Sequence, residues 1–318
     1  MAHKLEIVSS YNVELGEGPH WDERNSRLYH VDLIRGDCYS LDPVTKQHDK
    51  IHLPEAATLI VPIEDSEDFL VSQNRSICQL NWATKSLKPL GDVDDGKDTR
   101  INDGKIDPAG RLYYGTMNWE RKPGVFEPGL GSLYSMDSDG SIKLREPGIT
   151  ISNGLAWTED AKKFFFIDSL AYQVWIYDYD MATGAITNRK TVFDFKKHQD
   201  KLGAREIPDG MTIDLSGKIY VAVFHGNKVM KIDPETGTWL DTIVTPAMRT
   251  TSATFGGPDF STLYITSATF GASPEEIKAE PDAGKVFKVT FEKENVKGSR
   301  NLPFACKNQF NNSNEIRK

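Results

Sequence analysis

The feature that most constrains this chain is a unit that recurs six times, each copy pairing a short apolar strand with a turn and a second strand. The copies are Ser26–Thr45, Ser66–Asn81, Gly110–Lys143, Lys162–Thr183, Gly217–Thr236 and Ser261–Thr290. Each opens on an aromatic landmark, at Tyr29, Phe69, Tyr113, Phe165, Tyr220 and Tyr264, spaced 40, 44, 52, 55 and 44 residues apart. A period of this size signals a repeat architecture. Within the units apolar and polar residues alternate, as in Lys218–Lys231, and helix-period runs are almost absent, so the chain reads as all-β. Six units in 318 residues leave room for four short strands each. The expected fold is therefore a six-bladed β-propeller with four-stranded antiparallel blades, a β-sandwich pair being the less suitable alternative because every unit opens alike. The strand-like stretch Leu5–Val13 is expected to complete the last blade and close the ring, which removes exposed sheet edges. Residues 1–300 are expected to form this single domain, and the polar, Asn-rich residues 301–318 a frayed or surface-laid tail.

A second motif precedes most landmarks. It reads EGPHWD from Glu17, NDGKID from Asn102, NGLAW from Asn153 and DGMTID from Asp209. From its first polar residue to the next strand is 11, 10, 11 and 10 residues respectively. Equivalent positions in a propeller lie at one height around the axis. Glu17, Asn102, Asp103, Asn153 and Asp209 are thus expected to converge on one mouth of the central channel. Each Asp-Gly or Asn-Gly taken singly reads as an ordinary turn. At matched register they are a convergent oxygen set, whose like charges repel unless a cation compensates them. All-oxygen ligands suit hard ions such as Ca²⁺, Mg²⁺ or Mn²⁺, with Zn²⁺ compatible with the carboxylates.

Composition excludes other classes. A net charge of −8 argues against a nucleic-acid partner. No apolar run approaches the ~18 residues of a membrane span, and the N-terminus carries no leader-like apolar region. Three scattered cysteines, Cys38, Cys78 and Cys306, make neither a disulfide framework nor a Cys-rich zinc site and point to a reducing, cytosolic compartment. No GxSxG elbow and no phosphate loop occurs. A closed ring has no obligatory edge, so a monomer is expected.

The ordered motifs LGEGP-W (15–21), RINDGK-DPAGR (100–111), ISNGLAW (151–157), IPDGM (207–211) and FGGP (255–258) resemble the family that includes regucalcin (senescence marker protein), the gluconolactonases and the luciferin-regenerating enzymes of fireflies. The resemblance runs from about Leu5 to Gly298. It implies a propeller with one divalent cation on its axis, held by Glu17, Asn153 and Asp209. It further implies that Arg100, Asn102 and Glu120 contact a sugar-like substrate, with Asp103 beside them binding a hydroxyl or shaping the loop. Asp209 would also serve as general acid/base. The implied reaction is metal-dependent hydrolysis of a small lactone. The alternatives are a calcium-binding regulatory protein and a hydrolase of the luciferin-regenerating type, the latter because Trp119 adds an aromatic surface next to Glu120. Relative to the vertebrate pattern, the segment Lys196–Glu206 before Pro208 is longer and is expected to alter the rim of the site.

Overall fold

Six four-stranded antiparallel sheets follow one another along the chain. The computed structural model describes residues 2–120, 124–292 and 294–306. Blade one is Gly16–Asp22, Arg27–Asp32, Asp37–Leu41 and His48–His52. Blade two is Ile60–Pro62, Asp68–Gln73, Ser76–Asn81 and Leu87–Asp92. Blade three is Thr99–Ile106, Leu112–Asn118, Gly131–Met136 and Ile142–Ile149. Blade four is Ser152–Trp157, Lys163–Asp168, Gln173–Asp180 and Ala185–Asp194. Blade five is Ile207–Ile213, Ile219–Phe224, Lys228–Asp233 and Thr238–Val244. Blade six is Arg249–Gly256, Thr262–Ala268 and Phe287–Phe291, with His3–Ile7 as its outermost strand. The first strand of each blade is the inner one, because these strands contact one another around the ring. The fold is thus the expected six-bladed β-propeller.

The N-terminal strand closes the ring as expected, pairing Leu5 with Val289 and Ile7 with Phe287. It ends at Ile7 rather than running on to Val13. The Ser9 hydroxyl accepts the Val286 N–H at 3.0 Å in place of a ladder bond, and donates to the Tyr11 carbonyl at 3.0 Å. Val8 and Val13 are buried and anchor the link to blade one.

Five inner strands carry a register slip where the Glu/Asn/Asp motif, or its counterpart in blade six, falls. The slips lie between Glu17 and His20, Ile101 and Gly104, Asn153 and Leu155, Pro208 and Met211, and Thr250 and Ser252. A β-bulge of this kind re-aims a side chain while keeping the strand paired on either side. The glycines of the motif exist for a second reason. A Cβ on Gly154 would sit 2.5 Å from Met211 Cβ and 2.9 Å from the Asp209 carbonyl, on the next inner strand. One on Gly210 would overlap Ser252. The bare glycine is what lets adjacent inner strands approach.

Between blades four and five, the long segment folds against the barrel wall. Phe195–His198 is a short 3₁₀ turn opened by Asp194, which accepts the Lys196 N–H at 3.0 Å. Phe195 and Leu202 are buried in the core shared by these blades. Glu206 then pairs with Lys228 at 2.8 Å as the chain enters the inner strand of blade five.

The C-terminal segment is laid as a strap across the face opposite the Glu/Asn/Asp positions, and residue 300 falls within it. The Leu215 N–H donates to the Lys297 carbonyl at 2.8 Å, and Ser299 N–H to Ile213 at 3.1 Å. The Asn301 side chain donates to the Phe255 carbonyl at 2.7 Å and accepts from Thr254 at 2.7 Å. Phe304 pairs in parallel with Ile63, is fully buried, and joins the core between blades two and three. The strap is held because the undersides of blades two, three, five and six offer it backbone partners and one apolar socket. The rest of the expected tail, 307–318, lies outside the described residues. Phe304→Ala is expected to lower stability by about 3–5 kcal/mol, the usual cost of emptying an aromatic core site. Urea denaturation measures this, and an unchanged midpoint would show that the strap is not packed.

Candidate active site

At the mouth, the inner strands deliver the expected residues to one place. Arg100, Asn153 and Asp209 are 8%, 5% and 8% exposed, and Glu17, Asn102 and Asp103 are half-buried around them. Arg100 lies within the fields of Glu17, Glu120 and Asp209, and Glu17 within those of Asp209 and Asp103, so one electrostatic cluster spans blades one, three and five. Among the described residues no trio of His, Cys, Asp and Glu side chains converges as a metal cluster. The candidate donor set is two carboxylates and an amide.

The carboxylates are strained by their setting. Burial, then the charges of Asp209 and Asp103, push the Glu17 carboxyl well above its ordinary range, against the Gly18 N–H and Arg100. Burial and Asp103 do the same to Asp209, against hydrogen bonds from Asn153 and the Gly210 N–H and the charge of Arg100. Burial lifts Asp103 to about 6, while Lys105 and the Gly104 N–H (2.7 Å) pull it down. Such crowding of acidic groups persists in a fold only where something compensates it.

Asn153 supplies the clearest sign of what that is. Its amide nitrogen donates to Ser169 Oγ at 2.9 Å, which fixes the orientation of the side chain. Its Oδ1 is buried and has no hydrogen-bond partner. An acceptor left bare in a protein interior is costly and calls for an explanation. A bare amide oxygen among carboxylates that repel one another fits a hard divalent cation, whose ligands are oxygens. Ser169 was invisible to the motif reading because it sits 16 residues downstream, on the next loop.

The other predicted residues form the wall. Arg100 Nη1 donates to Asn102 Oδ1 at 2.7 Å and to the Ile101 carbonyl at 3.0 Å. The Asn102 amide in turn donates to the Ser152 carbonyl at 2.8 Å, tying blade three to blade four. Trp119 lays its ring 5.6 Å from the Arg100 guanidinium, a cation–π contact that holds both at the rim. Glu120 accepts the Gly124 N–H at 2.5 Å. His20 lines the narrow channel below the mouth with Asp103 and Lys105, and burial lowers its pKa to about 3, so it is a neutral ring. Blade two contributes only a three-residue inner strand.

The geometry is therefore a recessed acidic pocket with one guanidinium, one bare amide oxygen and an aromatic rim. Comparison with known proteins supplies its lineage. Residues 15–269 match the model of the SMP-30/gluconolactonase/LRE-like region. Regucalcin of Pongo abelii is 41% identical over 288 residues, covering 90% of this chain and 94% of that protein. Human regucalcin is 40% identical over the same span. Among solved structures, a luciferin-regenerating enzyme superposes with a TM-score of 0.87 at 35% identity, covering 95% of this chain and 99% of its own. A calcium-binding regucalcin from Agrobacterium tumefaciens superposes at 0.84 with 25% identity, covering 94% and 96%. A family model spanning most of the chain and relatives this similar over nine-tenths of it place the protein in the SMP-30/gluconolactonase/LRE-like family.

Proposed function

We propose that this protein is a divalent-cation-dependent hydrolase of small cyclic esters, with aldonolactones as the substrate class. The observation that carries the reading is the bare Asn153 Oδ1, which faces no protein donor in a pocket where Glu17 and Asp209 repel each other. Family membership supports a lactonase-type activity, and the calcium-binding relative supports a cation.

Glu17, Asn153 and Asp209 would hold the cation, which supplies Lewis-acid polarisation of a carbonyl oxygen when bound. The chain's own residues do the rest. Arg100 and Asn102, locked to one another and to Ser152, present donors and acceptors in fixed positions for the ring hydroxyls. Glu120, at the rim, adds a carboxylate acceptor for a hydroxyl. Asp209, its carboxyl raised by burial, is suited to take a proton from the attacking water and return it to the leaving alkoxide. Trp119 closes one side with an apolar face, which excludes water from the ring and steers it toward Arg100.

The decisive assay is hydrolysis of D-glucono-δ-lactone followed by pH indicator, with EDTA-stripped protein and then Ca²⁺, Mg²⁺, Mn²⁺ or Zn²⁺ added back. The expected result is activity restored by one or more cations. A rate at background with every cation, although binding is shown, would overturn the lactonase reading. Asp209→Asn is expected to lower kcat by about 10²–10⁴-fold, the range for loss of a general acid/base. Arg100→Met is expected to act mainly on KM, and kinetics at saturating lactone separate the two.

Stability gives an independent test of the cation set. In EDTA, Glu17→Gln removes a charge that repels Asp209 and Asp103, so its melting temperature is expected to equal or exceed that of the unaltered protein. The rise in melting temperature on adding the cation is expected to shrink or vanish in the same variant. A full cation-induced rise in Glu17→Gln would exclude Glu17 from the set.

A further inference from the structure

The inner strands have two ends, and the far end opens onto a second cavity. It measures about 430 Å³ and lies between the C-terminal strap and blades three to six. Its walls include Trp157, Ile213, Leu215, Phe260 and Leu302. Trp157 and Ile213 are the last residues of the strands that hold Asn153 and Asp209 near their starts, so the cavity is separate from the mouth. Its volume is in the range of small-molecule sites, ~300–1,000 Å³.

One polar group defines its inner end. Lys105 lines both this cavity and the narrow axial channel. Lys105 Nζ donates to the Met211 carbonyl at 2.8 Å. An ammonium carries three donors, and among the described residues this carbonyl is the one acceptor found for it, with no carboxylate in ion-pair contact. Asp103, on the channel side, acts on it only through its field, and burial lowers the amine to about 8, which leaves it mostly charged at neutral pH. The charges at the outer rim are otherwise engaged or exposed. Asp259 pairs with Lys297 at 3.8 Å, Arg300 pairs with Glu23, and Glu159 is exposed on its turn. The catalytic scheme above uses neither Lys105 nor this cavity.

From this arrangement we propose that the far-face cavity is a second binding site, taking a small aromatic anion whose carboxylate or sulfonate meets Lys105 and whose ring lies between Trp157 and Phe260. A flat apolar body satisfies the walls, and one negative charge satisfies the two open donors of the ammonium. The site is independent of the hydrolytic reading, since it shares no wall with Glu17, Asn153 or Asp209.

The test is fluorescence titration of the full chain with 8-anilinonaphthalene-1-sulfonate, with 1-naphthoate and D-gluconate as competitors. The expected result is saturable binding of one probe per chain, displaced by 1-naphthoate and not by D-gluconate. Lys105→Met is expected to weaken binding about tenfold or more, as loss of a charged hydrogen bond does. Leu215→Glu, at a wall residue 45% exposed and so tolerant of charge, is expected to weaken it while leaving the melting temperature unchanged. Absence of saturable binding, displacement by D-gluconate, or unaltered binding in the variants would overturn the proposal. If Lys105→Met does not fold, Leu215→Glu decides it.

Discussion

Everything at the mouth depends on how closely the inner strands approach one another. Gly154 and Gly210 face the next blade at distances that a methyl group would not survive. The residue just before each glycine is therefore fixed in position by packing, and the bulge at that point turns it toward the axis. Oxygen-bearing side chains are brought together by the same contacts that close the ring. No flexible loop sets their spacing, which is the kind of rigid support a precise site needs.

The cost of that arrangement is electrostatic. Glu17, Asp103 and Asp209 crowd one recessed space, with Arg100 as counter-charge to Glu17 and Asp209 and Lys105 to Asp103, and burial drives each carboxyl upward. The protein relieves this only in part with its own donors, one backbone N–H to each carboxylate and the Asn153 amide to Asp209. Glu17 receives the Gly18 N–H at 3.2 Å, and Asn153 turns its nitrogen to Ser169 while leaving its oxygen bare. Relief from outside, by a bound cation, is the physical content of the functional reading. It also explains why a neutral Asn stands where a third carboxylate would have deepened the repulsion.

The ring was legible in the sequence because it is repetitive. Six aromatic landmarks and four matched motifs carry their own register, so blade number, closing strand and mouth residues could be read directly. The strap could not. Leu302 and Phe304 fall in the short run Leu302-Pro303-Phe304-Ala305-Cys306, which has neither helix nor strand period, and their burial is decided by sockets on blades far away in sequence. Ser169 was hidden for the same reason, since its importance lies in what it does to the Asn153 amide. The limit was the same in each case: local pattern shows which residues share a face, and only packing shows which polar atoms are left without a partner.

The aspartates make that limit concrete. DPAGR at Asp107 and DLSGK at Asp214 look as acidic and as turn-like as the NDG and PDG motifs. Yet at this end of the inner strands the carboxylates are saturated. Asp107 accepts the Ala109 and Arg111 N–H groups at 2.8 and 2.9 Å, the Arg111 guanidinium at 2.8 Å and the Tyr179 hydroxyl at 2.5 Å. Asp214 accepts from Ser216, Lys218 and Tyr220. These residues close turns and bind neighbouring blades, with no acceptor left over for a ligand. At the mouth the same residue types each accept one backbone N–H and otherwise meet one another. The inner strand of blade five thus has a saturated carboxylate, Asp214, just past its far end and an under-compensated one, Asp209, near its start. The difference between them is set by how many donors the adjoining blades can bring.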